Sequence, residues 1–149
     1  MKTLFQKEDF DEIIGRINKL TPNTQRQWGK MNVDQMLAHC SIAMESAIGS
    51  KYFPQLLMGK LIGRFFKSFG VGKKPIKKNS PTNPAFIIVD TKNFETEKQN
   101  LSGFINQFYQ GGEAKCTTNP HSFFGKLTSS EWGVLQYKHL DHHLSQFGV

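Results

Sequence analysis

The sequence predicts an all-α domain. Three observations carry this. Apolar residues recur at helical spacing in at least four segments, two of these segments open with capping boxes, and only residues 85–89 look extended. The simplest architecture is a four-helix bundle with one extra helix. A length of 149 residues predicts one domain, residues 1–149. A chain of this size buries roughly 68–70% of its unfolded surface, so it needs no disulfide or metal in order to fold.

The first helix is expected over residues 7–20. Phe10, Ile13, Ile14, Ile17 and Leu20 repeat at threes and fours. Glu8, Asp9, Asp11 and Glu12 crowd its start, where the helix dipole favours anions. Thr21-Pro22-Asn23 stops it. The second helix starts at Asn32, an N-cap that Gln35 completes as a capping box. Val33, Met36, Leu37, Cys40, Ala43, Met44 and Ala47 form its apolar face, and His39 lies at the border of that face.

A basic amphipathic helix is expected over residues 54–69. It sets Leu57, Leu61 and Phe65 on one side and Lys60, Arg64 and Lys67 on the other. Gly59 and Gly63 weaken it by about 1 kcal/mol each relative to Ala. The expected role of the Leu57, Leu61 and Phe65 face is packing on the bundle. Residues 70–84, rich in Gly, Pro, Lys, Asn and Ser, read as a loop. The next helix covers residues 93–109, with Phe94, Leu101, Phe104, Ile105 and Phe108 inward and Gly111-Gly112 as its end. Residues 113–126 form a loop that holds Cys116, His121 and Phe123-Phe124. The last helix follows the capping box Thr128-Ser129-Ser130-Glu131 and runs to about Phe147, before Gly148.

The net charge of +7 is localised. No Asp or Glu occurs between Ser46 and Val89, while that stretch holds Lys51, Lys60, Arg64, Lys67, Lys73, Lys74, Lys77 and Lys78. The remainder carries 11 basic and 12 acidic residues, a net of −1. Such a segment suits either a solvated helix face or contact with an anionic surface. No window is apolar for the ~18–20 residues a membrane span needs, and the N-terminus has no signal-peptide core. Two cysteines, Cys40 and Cys116, fit a reducing compartment, and the expectation is a cytoplasmic protein. Cys40 reads as a core thiol, whereas Cys116 lies in a loop. No Ser–His–Asp spacing, phosphate-binding Gly loop or CxxC motif is present. His121 is a lone loop histidine, suited to a cap or to the mouth of a site.

The histidines carry the chemistry. His139 and His143 are one helical turn apart and share a face. They fall within the arc of Trp132, Leu135, Leu140 and Phe147, near Gln136 and Gln146. Lys138, Asp141 and Ser145 take the opposite, solvated side, and His142 stands at the edge. Paired imidazoles in an apolar arc need partners, either hydrogen bonds or a divalent metal. His39 is the other helical histidine outside this run, and facing helices assemble such sites in bundles. Three histidines leave a metal with open positions, as in catalytic sites. Imidazole suits zinc and nickel alike.

The string Trp28-Gly29-Lys30-Met31-Asn32-Val33-Asp34-Gln35-Met36-Leu37-Ala38-His39-Cys40 and the closing His139-Leu140-Asp141-His142-His143-Leu144-Ser145-Gln146-Phe147-Gly148 resemble the DinB/YfiT-like superfamily of metalloenzymes. Within it they are closest to a bacterial subgroup of uncharacterised function. Phe123-Phe124-Gly125-Lys126-Leu127 also resembles that subgroup's approach to its last helix. The resemblance implies an up-down-down-up four-helix bundle with metal ligands His39, His139 and His143, and His142 as an adjacent non-ligand. It implies a small-molecule substrate and a thiol-dependent transferase or isomerase reaction that uses a low-molecular-weight thiol; a hydrolase reaction stays open beside it. A metal-bound water or thiol loses its proton more readily, and the thiolate is the nucleophile. No specific nucleic acid and no stable membrane insertion are expected, and a homodimer is left open. The basic segment sits where the superfamily joins its second and third helices, so the resemblance implies no role for it. The alternative is a metal-free bundle whose basic helix binds an anionic surface or partner.

Overall fold

The computed structural model describes residues 1–149. It contains five α-helices and no strand: α1 (Lys7–Lys19), α2 (Val33–Ile48), α3 (Leu57–Val71), α4 (Phe94–Gly111) and α5 (Ser129–Gln146). Short 3-10 turns at Pro84–Phe86 and Glu113–Lys115 complete the regular structure. His121 and Gly125 form an isolated bridge pair.

The capping boxes set the two helices that matter most. At α2, the Gln35 amide donates to Asn32 Oδ1 at 2.9 Å and the Asn32 amide to Gln35 Oε1 at 3.1 Å. At α5, the Glu131 amide donates to Thr128 Oγ1 at 3.2 Å and the Thr128 amide to Glu131 Oε2 at 2.8 Å. Each box satisfies two backbone donors that a helix start would otherwise leave free. α2 ends at Gly49, whose φ of +78° a side chain rarely adopts. α2 packs most extensively on α4 and also meets α5, while α1 packs on both α4 and α5. Between them lies a core that includes Ile13, Ile17, Leu37, Met44, Ile105 and Trp132.

Residues 85–89 were expected to be extended; the structure corrects this at Ala85 and Phe86, which lie in a 3-10 turn, while the backbone at Ile87 is extended. Asn83 Oδ1 accepts the Ala85 amide at 2.9 Å, and Pro84 occupies the first turn of a 3-10 segment. Asn-Pro supplies both a cap and a preset φ, which outweighs the apolar character of the stretch.

The basic helix departs from expectation in two ways. α3 starts at Leu57 because the residues before it are engaged elsewhere: the Leu56 amide donates to the Ser122 carbonyl at 2.8 Å and Gln55 Nε2 to the Phe123 carbonyl at 3.3 Å. Its buried residues are Gly59, Gly63 and Gly70. The face of Leu57, Leu61 and Phe65, expected to pack, is 73%, 63% and 70% exposed. The glycines explain this reversal. A Cβ on Gly59 would stand 2.6 Å from the Phe123 carbonyl oxygen, and one on Gly63 would collide with the same atom. The helix backbone therefore approaches the 121–125 turn more closely than any side chain allows.

Lys138 was expected on a solvated face. Instead its ammonium donates to the Phe69 and Gly72 carbonyls, both at 2.8 Å, and so satisfies the end of α3. Burial lowers its pKa. Asp141, on the same side of α5, receives Arg16 Nη1 at 2.7 Å.

Candidate metal centre

His39 lies two turns inside α2, placed there by the Asn32 cap, and is 2% exposed. Its Nδ1 is 2.8 Å from the Phe86 carbonyl oxygen, contributed by the 3-10 turn. A carbonyl only accepts, so Nδ1 carries the proton and Nε2 presents a lone pair. His143, on α5, is 8% exposed, and its Nδ1 is 2.9 Å from Gln146 Oε1. Gln146 Nε2 donates to the Trp28 carbonyl at 2.7 Å, which fixes the orientation of the amide. Its oxygen therefore faces His143, whose proton is also on Nδ1 and whose Nε2 is bare.

His139, one turn earlier on α5, places its Nε2 3.1 Å from His39 Nε2. Its Nδ1 is buried without a hydrogen-bond partner. Ring centroids are 5.0 Å apart for His39 and His139, and 4.7 Å apart for His143 with either. One ring nitrogen from each of the three lies within 4.8 Å of the others. The structure thus brings together the three residues that the sequence singled out.

Burial holds all three imidazoles neutral. It is the first cause of the lowered pKa of His39, which the Phe86 carbonyl opposes. His139 is driven well below the usual histidine value by burial and then by His143. Burial, and next His39, push His143 down to about 3. Neutral imidazole is the ligand form.

The other singled-out residues fall outside the cluster. His142 is half-buried, turned edge-on to Trp28 with ring centroids 6.0 Å apart. It borders an open cavity of about 330 Å³ together with Trp28, Ile76 and Lys78. His121 acts as a cap: its Nδ1 accepts the Phe123 and Phe124 amides, both at 3.1 Å, and its ring stacks on Phe124. Cys40 is a core thiol with its pKa raised by burial, and burial pushes the Cys116 thiol up to about 11. Neither is a ready thiolate.

Sequence reasoning missed the groups that orient the histidines. Gln146 carried a signal, since it lies three residues after His143 in the same apolar arc. The Phe86 and Trp28 carbonyls carried none, because a backbone acceptor leaves no trace in residue identity.

Fold and site together define an all-helical domain in which two helices contribute three neutral, buried histidines to one cluster. The chain belongs to the family described as "Protein of unknown function (DUF1569)", whose model matches residues 2–148. No curated protein and no solved structure matches the chain.

Proposed function

We propose that this protein is a divalent-metal enzyme of the DinB-like kind, with His39, His139 and His143 holding one zinc or nickel ion. The observation that carries the reading is the fixed tautomer of His39 and His143. Acceptors on both Nδ1 atoms leave Nε2 bare on His39 and His143, and that of His39 stands 3.1 Å from His139 Nε2. Such outer partners are what metal-bound histidines use to set ring orientation. The donor set also fits: three neutral nitrogens with no carboxylate suit zinc or nickel better than calcium or magnesium.

When bound, the ion supplies Lewis acidity and lowers the pKa of a coordinated water or thiol. The chain does the rest. Phe86 and Gln146 orient the imidazoles, and burial keeps them deprotonated. The Phe86 ring lies 6.2 Å from that of His39 with Phe53 packed edge-on behind it, so water is kept from that side. The substrate class we favour is a small molecule transferred to, or cleaved with, a low-molecular-weight thiol or water. The bundle topology we assign is up-down-down-up, over a single domain of residues 1–149.

The test is elemental analysis of protein prepared without a histidine tag, alongside single alanine variants. Wild type should carry about one equivalent of metal. His143→Ala should lose most of it and His142→Ala should keep it. Retention by the His39, His139 and His143 variants alike, or failure of wild type to load any divalent metal, would leave the cluster a hydrogen-bonded core feature of a non-catalytic bundle.

A further inference from the structure

We propose that α3 docks the protein on anionic lipid surfaces, lying flat with Leu57, Leu61 and Phe65 in the boundary between headgroups and acyl chains. The observation is the outward apolar face of a helix whose other side is already committed. Gly59, Gly63 and Gly70 are buried against Phe123 and Phe124, and no side chain fits there. The helix is also held at both ends and in the middle. The Leu56 amide is bonded to Ser122, Lys138 binds the Phe69 and Gly72 carbonyls, and Lys67 pairs with Glu131 at 2.7 Å. Turning it to bury Leu61 would break all of these. The exposed side chains, which also include Met58, Phe66 and Phe69, thus belong to the finished fold.

Charge selects the occupant. Lys60 and Arg64, expected opposite the apolar face, are exposed and flank it instead, since the opposite side is the buried glycine face, and Lys73, Lys74 and Lys77 of the loop after α3 are exposed as well. No acidic residue occurs between Ser46 and Val89 to offset them. An apolar stripe of Leu and Phe beside a Lys/Arg flank is the pattern of an interfacial helix on anionic lipid. No helix is long and apolar enough to cross a membrane, so the contact is peripheral. A second copy of the chain fits less well, because pairing the faces by two-fold symmetry sets Lys60 and Arg64 against their like. Nucleic acid would use the cations but give Leu57, Met58 and Leu61 nothing to bury against.

The experiment is flotation of the full chain with phosphatidylcholine vesicles, with and without phosphatidylglycerol. Wild type should bind the phosphatidylglycerol vesicles, and less so as salt is raised. Leu61→Ser and Phe65→Ser should each weaken binding at least about tenfold, as expected for one apolar side chain withheld from an apolar phase. Lys60→Gln and Arg64→Gln should each weaken it about fivefold. All four variants should melt with wild type, since these side chains are exposed. Four results would overturn the proposal: no binding by wild type, binding unchanged in the two Ser variants, a lowered melting temperature for Leu61→Ser, or a wild-type dimer that Leu61→Ser dissociates. Duplex DNA binding that the Gln variants abolish and the Ser variants keep, without vesicle binding, would assign the surface to nucleic acid instead.

Discussion

Replacing Gly63 by Ala tests how α3 meets the rest of the fold. In an exposed helix the change stabilises by about 1 kcal/mol. Here the new Cβ would collide with the Phe123 carbonyl oxygen and stand 2.9 Å from its carbon. That turn cannot yield easily. His121 and Gly125 exchange backbone hydrogen bonds at 2.8 and 3.1 Å, and the His121 ring holds two further amides. α3 must therefore move outward, which loosens the Leu56–Ser122 and Gln55–Phe123 hydrogen bonds, each about 1 kcal/mol. Overpacking strain adds about 1–3 kcal/mol. Set against the helix gain, the net loss is about 2–4 kcal/mol, or a fall in melting temperature of about 4–16 °C. Gly15→Ala and Gly103→Ala are the controls, because nothing lies within 4 Å of a Cβ at either position. They should stabilise by up to about 1 kcal/mol. The assay is thermal and urea unfolding followed by circular dichroism. If Gly63→Ala raises stability as the controls do, α3 does not pack through its glycines and the argument fails.

Two further outcomes follow from the site and its surroundings. Gln146→Leu removes the acceptor for His143 Nδ1 and should lower metal affinity about 10–100-fold. Competition with a chromophoric chelator measures this, and equal affinities for wild type and Gln146→Leu would refute the orienting role. Burial holds the His121 pKa down to about 4, so the folded chain stays neutral where the unfolded chain, near 6.5, takes up a proton. Its contribution is complete above about pH 6.5 and declines as pH falls toward about 4, by at most about 3 kcal/mol in all. His121→Asn leaves an acceptor for the two amides but does not titrate, so urea midpoints measured down this range should fall less steeply with acid than in wild type. Parallel slopes would count against the assignment.

The parts of this structure visible in the sequence are those governed by side chains acting on their own helix. Asn32 with Gln35, and Thr128 with Glu131, placed α2 and α5 to within a residue. The one-turn spacing of His139 and His143 put both on one face, and the border position of His39 pointed to the facing helix. α3 was misjudged for a physical reason. Apolar periodicity reports which face is greasy, and the greasy face is usually the packed one. Glycine carries no apolar signal, so a face of Gly59, Gly63 and Gly70 is invisible to that reasoning even though it is the packed face. Residues 84–86 show the same limit in miniature. Ala85 and Phe86 were read as the start of an extended stretch running to Val89, whereas Asn83-Pro84 set a turn whose contribution to the site is a carbonyl.

That carbonyl, and the one at Trp28 to which Gln146 is bonded, give the histidine cluster an uneven tolerance to genetic change. Substituting the side chain at position 86 or 28 cannot delete a peptide oxygen, so point mutation reaches these two supports only by displacing the chain. A deletion or insertion does so directly. A residue lost or gained within Pro84–Phe86 itself would shift the acceptor of His39 without altering any histidine. Within that turn, register counts for more than side-chain identity, because the oxygen that His39 needs belongs to the backbone.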